Sequence, residues 1–395
     1  MVLDTDLFKD IRPYRDEEVA GAIQRLIHDD EFVGAIAKYR FSTLSGIGGP
    51  IIRALIRLYL SWRWRKLKSV RQIQLEVASY MEKMITSTTQ GVTYSGLDQL
   101  DPSQGYVFIS NHRDIAMDPA FVNWGLHSHG LDTVRIAIGD NLLRKPCAAE
   151  LMKLNKSFVV KRSAKGPREM MKAFSELSAY LRHSIDEQQS IWIAQKEGRA
   201  KDGNDKTDPA ILKMFYMEGK RQKIPFADYI KTLNLVPVAI SYEYDPGDQA
   251  KARELAAKEE LGAYEKREFE DVESIVQGIV GQKGRVHVAF GQPLVGDFET
   301  ADQLAEEIDK QIYANYHLFP SNILAAGQPL ARELTANDAN AAKEFERYMQ
   351  DIPPELKARV LAMYAKPVLN QAGALNAPSE PEPLLSSVES LPLVE

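Results

Sequence analysis

Residues 106–119 read YVFISNHRDIAMDP, an apolar run that passes through a polar turn into a Pro-containing segment. The apolar half is short and rich in β-branched and aromatic side chains, so it predicts a buried strand. Asp118 followed by Pro119 is typical of a helix start, with the carboxylate as N-cap. A strand that leads through a turn into a helix is the repeating unit of an α/β sheet.

Further apolar runs continue this pattern along the chain, at residues 134–138, 158–160, 190–194, 235–240 and 286–290. Helical stretches separate most of them, for example residues 167–185 and 302–316. We therefore predict an α/β fold with a mostly parallel or mixed central sheet flanked by helices. Ligands of such sheets bind beyond the carboxyl ends of the strands, where the polar part of 106–119 falls.

Residues 1–88 differ from the rest, because their periodic apolar positions predict an N-terminal helical region. Between Phe32 and Leu75 there are nine Lys and Arg residues and no Asp or Glu, although the whole chain has a net charge of −6. A helix predicted from Pro50 to Lys68 has a broad apolar arc, but two arginines interrupt it, which argues against a transmembrane span. This helix either lies in a membrane interface or packs on the domain as an ordinary surface helix.

The basic end of this helix is expected to face a membrane surface with anionic lipid through Arg63, Arg65, Lys66 and Lys68. Its tryptophans would also suit stacking on nucleic-acid bases. The acidic remainder of the chain favours the membrane instead, so no nucleic-acid partner is expected. The N-terminus lacks an apolar signal segment and the chain has one Cys, which predicts a cytoplasmic protein, peripheral on the inner face of the cell membrane.

We divide the chain into four segments. Residues 1–88 are the helical, basic, membrane-facing region, and residues 89–330 are the α/β catalytic domain. Residues 331–369 are a C-terminal helical extension, and residues 370–395 are a tail. The tail is rich in Pro, Ser and Glu, a composition that predicts disorder. The sequence does not indicate an oligomeric state.

His112 is the candidate for the chemistry of the polar turn. A neutral imidazole can take a proton from a hydroxyl near pH 7. A carboxylate on its other ring nitrogen would fix the tautomer and stabilise the imidazolium. Asp118 is the first choice for this carboxylate and Asp114 the second. The alternative is that His112 is an ordinary histidine at a strand end and that Asp118 only caps a helix.

Two other predicted strands also end in polar residues. SFVVKR at 157–162 ends in Arg162, and IWIAQKEGRAK at 191–201 contains Glu197, Gly198, Arg199 and Lys201. The planar guanidinium of Arg can bind a phosphate in two places. The alternative for these cations is ordinary surface charge.

Together with LVPV at 235–238, these segments resemble in order four motifs of the glycerolipid acyltransferase superfamily, which includes lysophosphatidate and glycerol-3-phosphate acyltransferases. The resemblance spans roughly residues 88–300. Five residues separate His112 from Asp118, where the family usually has four, and the third motif is one residue short. The family implies direct transfer of a fatty acyl group from acyl-CoA or acyl-carrier protein to a glycerol-phosphate-type acceptor, without an acyl-enzyme.

The resemblance implies roles for the candidate residues. His112 and Asp118 would be catalytic, and the acceptor phosphate would be bound by Arg162, Glu197, Gly198, Arg199 and Lys201, with neither a metal nor a cofactor. The expected acceptor is 1-acylglycerol-3-phosphate, which gives phosphatidate in phospholipid biosynthesis; the alternative is a glycerol-3-phosphate 1-O-acyltransferase. An alternative of another class is a non-catalytic lipid-binding protein of the same fold.

Overall fold

A computed structural model describes residues 6–40, 49–267, 270–327 and 339–376. The chain begins with four helices: α1 (Asp16–His28), α2 (Asp30–Arg40), α3 (Gly49–Trp64) and α4 (Val70–Thr88). The first three pack together around a cluster that includes Val19, Leu26, Ile56 and Leu60. The predicted N-terminal helical region is confirmed. In the part of the chain described, no helix is long and apolar enough to cross a membrane.

A seven-stranded mixed sheet forms the centre of the molecule. Its strands are β1 (Val92–Ser95), β2 (Val107–Ser110), β3 (Arg135–Gly139), β4 (Ser157–Val160), β5 (Ile191–Ala194), β6 (Leu235–Tyr242) and β7 (Val286–Phe290). Their order is β1-β7-β6-β2-β5-β3-β4. Neighbours run parallel except β6 and β7, which pair antiparallel. The predicted mostly parallel or mixed sheet is confirmed.

Helices cover both faces of this sheet. They are α5 (Met117–Ser128), α6 (Pro146–Leu154), α7 (Pro167–Asp186), α8 (Pro209–Phe215), α9 (Met217–Arg221), α10 (Phe226–Lys231), α11 (Asp248–Leu261), α12 (Glu270–Val280), α13 (Ala301–Ala314) and α14 (Pro320–Ala326). Val107 and Ile109 belong to one apolar cluster and Phe108 to another. Alternate residues of β2 are thus buried on opposite faces, as expected for a central strand covered by helices on both sides.

The central strands β5, β2 and β6 bring polar loops to one edge of the sheet. Ser110 at the end of β2 is in register with Ala194, the end of β5, and with Val238 of β6. The amide of Asn111 extends the pairing, donating to the Ile240 carbonyl at 3.0 Å and accepting from the Ile240 N–H at 2.8 Å. Since β6 continues to Tyr242, it reaches past β2 at the edge where ligands bind.

Two C-terminal helices, α15 (Ala339–Gln350) and α16 (Pro354–Asn376), complete the described chain. They bury Phe345, Leu356 and Val360 in a cluster that also contains Ala252 of α11. Residues 370–376, which the sequence assigned to a disordered tail, are helical, since α16 continues through Asn376. The error arose because residues 370–376 were assigned by composition alone. Residues 377–395, the rest of that prediction, lie outside the described residues.

Candidate active site

His112 and Asp118 form a pair at the carboxyl end of β2. The distance from His112 Nδ1 to Asp118 Oδ2 is 2.8 Å, and the Asp118 side chain is wholly buried while that of His112 is 13% exposed. This geometry fits an imidazole that carries its proton on Nδ1 and donates it to the carboxylate. The nitrogen left for a substrate is therefore Nε2.

The backbone wraps around the Asp118 carboxylate. Oδ2 also accepts hydrogen bonds from the backbone N–H groups of Arg113, at 2.6 Å, and Asp114, at 3.0 Å. Asp118 lies in the first turn of α5, where the helix dipole favours a negative charge. The five-residue spacer thus closes into a turn around the carboxylate, and the unusual spacing still brings the two side chains together.

Asp114, the second choice for the acid, has a different set of contacts. Its Oδ1 accepts from the backbone N–H groups of Ala116, at 2.9 Å, and Met117, at 2.8 Å. Asp114 therefore caps α5, a role that the sequence suggested for Asp118. Gly278 of α12 lies close against the Asp114 carboxyl group. Burial, and then the nearby charge of Asp118, raise the pKa of Asp114.

The spacer residue Arg113 turns away from the pair. Its guanidinium is buried and forms an ion pair with Asp205 at 2.6 Å. The carbonyl of Arg113 accepts a hydrogen bond from the buried Lys251 at 2.7 Å. The backbone that carries His112 is therefore fixed by charged contacts on the side opposite Asp118.

The imidazole of His112 also rests against a neighbouring strand. Trp192 of β5 meets its ring edge to face, with 5.7 Å between the ring centres. The Trp192 indole N–H donates to the Ser110 hydroxyl at 3.0 Å, which fixes the tryptophan. The carbonyl of His112 accepts from the N–H of Ala200 at 2.9 Å. The loop after β5 is thus tied directly to His112.

A cleft of about 320 Å³ opens beside His112. All the predicted phosphate-binding residues line it together with His112: Arg162, Glu197, Gly198, Arg199 and Lys201. The rest of the wall is largely apolar, with Val160, Phe174, Leu177, Ile193, Ile211 and Met214 among its residues. The cleft therefore has a cationic part and an apolar part, and His112 borders the same space as both.

The three predicted cations have different partners. Arg162 lies 3.6 Å from the exposed Glu197 carboxylate, and Arg199 donates to the neutral Ser274 hydroxyl at 3.4 Å. Lys201 instead donates to Glu254 at 2.5 Å in an ion pair that is largely buried. Burial lowers the pKa of Lys201, although Glu254 opposes this effect. Arg162 and Arg199 are therefore better placed than Lys201 to meet an anion.

The sequence did not identify several residues of this site. Lys266 and Asp271 line the cleft and pair with each other at 2.7 Å. Lys266 lies in the loop before α12 and Asp271 in α12 itself, in a part of the sequence without a recognised motif. The Tyr242 hydroxyl donates to Asp118 Oδ1 at 2.7 Å. Its position at the carboxyl end of a predicted strand was the available signal, since such ends carry sites in α/β sheets.

One comparison with known proteins covers the residues of this site. Residues 91–226 match a family model described as Acyltransferase, and this segment contains His112, Asp118, Arg162 and Arg199. Among solved structures, the chain is similar to the 1-acyl-sn-glycerophosphate (LPA) acyltransferase PlsC from Thermotoga maritima. The identity is 13% and the TM-score 0.36, over 75% of this chain and 91% of that chain. The search of curated proteins found no match.

The contacts of Asp114 predict a stability effect that depends on pH. Because its pKa is raised in the fold, its ionised form destabilises the protein, and this penalty disappears as pH falls toward 3.8, the ordinary value. Asp114→Asn removes the charge and keeps an oxygen that can cap α5. We expect the variant to have a higher free energy of unfolding than wild type at pH 7, with the difference shrinking toward acid pH.

Urea unfolding at several pH values measures this difference, and Asp118→Asn is the matched control. The control should be destabilised at pH 7, because a neutral amide oxygen is a weaker acceptor than the carboxylate for the His112 and backbone N–H donors that meet Oδ2. If the Asp114→Asn protein were less stable than wild type at pH 7, the ionised Asp114 carboxylate would not destabilise the fold, which would contradict this interpretation.

Proposed function

We propose that the chain acylates a glycerol-phosphate-type acceptor, on the premise that residues 91–226 match a family model described as Acyltransferase. The donor is acyl-CoA or acyl-carrier protein, and the acceptor is 1-acylglycerol-3-phosphate, which gives phosphatidate in phospholipid biosynthesis. The observation that carries this proposal is that one cleft combines the His112–Asp118 pair, two arginines and an apolar wall. No cofactor is required, because the donor is itself a substrate.

His112 would act first as a base and then as an acid. The acceptor hydroxyl donates to Nε2, loses its proton to the imidazole and attacks the thioester carbonyl. Asp118 stabilises the resulting imidazolium through Nδ1–H without taking the proton. When the tetrahedral intermediate breaks its C–S bond, the imidazolium returns the proton to the leaving sulfur. The products are an ester and a free thiol, and the histidine is neutral again.

The polar part of the cleft suits the phosphate of the acceptor. Arg162 follows β4 and Arg199 follows β5, and both border the cleft with His112. Their planar guanidinium groups can hold phosphate oxygens while the acceptor hydroxyl points at the imidazole. Lys201, neutralised by Glu254, would support the loop more than the ligand. Gly198 has a φ of +77°, so it permits the turn that brings Arg199 to the cleft.

The apolar part of the cleft suits the acyl chain of a thioester. Phe174 and Leu177 come from α7, and Ile211 and Met214 from α8, so two helices build one wall. Burying methylene groups there would stabilise the complex by about 0.8 kcal/mol for each group. A non-catalytic lipid-binding protein would need this wall but not a histidine oriented by a buried carboxylate, which favours the enzyme.

We predict that His112→Ala lowers kcat by roughly 10²–10⁴-fold, the usual contribution of a general base. Purified protein is incubated with labelled acyl-CoA or labelled acyl-carrier protein as donor. The acceptor is either 1-acylglycerol-3-phosphate or glycerol-3-phosphate, and the lipid formed is identified. His28→Ala is the control, because His28 is an exposed residue of α1 outside the cleft, and this variant should have wild-type turnover. A folded His112→Ala protein with wild-type turnover would remove His112 from the mechanism.

Product identity also decides between the two acceptors. Phosphatidate formed from the 1-acyl acceptor supports the proposal, and 1-acylglycerol-3-phosphate formed from glycerol-3-phosphate supports the alternative. An active wild type is the reference for every other variant.

For Arg162→Gln we expect mainly a higher KM for the phosphate-bearing acceptor, by roughly 10-fold or more, because a charge-assisted contact in the ground state is lost. The KM for the donor should change little. Lys165→Gln, an exposed cation three residues further along, is the matched control. A rise confined to the donor KM would mean that Arg162 binds the carrier's phosphates instead.

Helix α3 supports the proposal that the protein works at a membrane surface. It packs on the N-terminal helices through Ile56 and Leu60. Its other side exposes five large apolar side chains, with Leu58 69% and Trp62 61% exposed; the set is Ile51, Leu55, Leu58, Tyr59 and Trp62. The packed side fits the interpretation as a surface helix, and the exposed apolar side supports the interpretation as a membrane-interface helix. We propose that the exposed side inserts into the headgroup layer of the cytoplasmic face of the cell membrane.

Basic residues accompany this exposed side. Arg65, Lys66 and Lys68 are exposed just after α3, whereas Arg63 donates to Glu76 at 3.0 Å and is partly neutralised. Each cation near an anionic surface contributes about 1 kcal/mol, which salt screens. The apolar insertion adds a contribution that salt does not remove.

We expect the protein to co-sediment with vesicles of phosphatidylcholine and phosphatidylglycerol more than with phosphatidylcholine alone, and high salt to release part of it. Changing Leu55 and Leu58 to Gln, or Arg65, Lys66 and Lys68 to Gln, should weaken binding. Leu261→Gln, which changes an even more exposed leucine on α11, is the control. Equal binding of wild type to both vesicles, or to neither, would contradict docking through this surface.

A further inference from the structure

The carboxylate of Asp118 has a contact that the proposed acid–base step does not use. Three donors, His112 Nδ1 and two backbone N–H groups, meet Oδ2. The other oxygen, Oδ1, accepts a hydrogen bond from the Tyr242 hydroxyl at 2.7 Å. The Tyr242 side chain is buried, and its ring packs edge to face on Phe121 of α5 with 5.8 Å between ring centres. The hydrogen bond and the ring contact together fix the position of the Tyr242 side chain.

A buried carboxylate must have all its lone pairs engaged, because an unpaired charge in the interior is very costly. Tyr242 is suited to this task because it stays a neutral donor. Burial, and then the charges of Asp118 and Asp114, raise the pKa of Tyr242 well above its ordinary value. The tyrosine is thus protonated near neutral pH and can donate to Asp118 there.

The position of Tyr242 is set by the sheet. It is the last residue of β6 and pairs with Val286 of β7, four residues beyond the point where β6 is in register with the end of β2. This overhang carries the hydroxyl across the end of β2 to the first turn of α5. The Asp118 carboxylate therefore accepts hydrogen bonds from the end of β6 and from the loop that precedes α5.

We infer that Tyr242 is a positioning residue of the acyl-transfer site, acting on His112 through Asp118. It fixes the rotation of the carboxylate so that Oδ2 faces the imidazole, and it stabilises the ionised carboxylate that balances the imidazolium. The inference rests on the proposed acyl transfer and deepens it. Tyr242 is not among the residues that line the cleft, so its loss should act on turnover and leave substrate binding alone.

The first test is the kinetics of Tyr242→Phe. We expect kcat to fall roughly 10–100-fold, with KM for donor and acceptor within about twofold of wild type. Tyr94→Phe is the matched control, because its hydroxyl donates to the Phe121 carbonyl of the same helix at 3.0 Å and does not meet Asp118. The control should keep a near-wild-type kcat. Tyr242→Phe with the turnover of the control overturns the inference.

The second test separates positioning from a general loss of structure. In an Asp118→Asn background, Tyr242→Phe should lower kcat by less than about twofold further, since both changes break one chain of contacts. Losses that multiply fully would overturn action through Asp118. Thermal unfolding corrects each rate for the folded fraction, and Tyr242→Met, which also lacks the hydroxyl, is the second deletion variant if the first does not fold. An inactive wild type would instead contradict the proposed function itself.

Discussion

A negative charge buried at the start of a helix is the constraint on which the site depends. Asp118 is wholly buried, so the protein must surround its carboxylate with donors or pay a large desolvation penalty. The turn after β2, the first turn of α5, the end of β6 and the imidazole of His112 meet this demand together. The same contacts that make the charge tolerable also hold the histidine in one tautomer and one orientation, so stability and chemistry have a common origin.

The sheet supplies the geometry around this charge. Strands β5, β2 and β6 lie side by side, so their loops converge at one edge. Trp192 of β5 and Ala200 of the loop that follows it both contact His112. Because β7 runs antiparallel to β6, the overhanging end of β6 has a hydrogen-bonded partner where β2 has already ended. Charged contacts of Arg113 with Asp205 and of Lys251 with the Arg113 carbonyl then fix the far side of the catalytic turn.

Local patterns in the sequence predicted the strands, the N-terminal helices and the residues that border the cleft, because each depends on a few adjacent positions. Long-range pairing could not be read in the same way. Glu254, which neutralises Lys201, is 53 residues away, and Tyr242 is 124 residues from Asp118. The two sides of α3 share one apolar arc in sequence, and only packing distinguishes Ile56, which is buried, from Leu58, which is exposed. Composition also misplaced the end of α16, since tertiary packing extends a helix beyond its own propensity.

The central claim is that His112, oriented by Asp118, drives direct transfer without a covalent acyl-enzyme. The most direct test mixes the protein rapidly with the thioester donor. Thiol release is followed over time, and the mass of the intact protein is measured. We expect thiol release to wait for the glycerol-phosphate-type acceptor, no acyl adduct to form without it, and His112→Ala to slow the release. A burst of thiol equal to the enzyme concentration before the acceptor is added, with an acyl group on the protein, would contradict it.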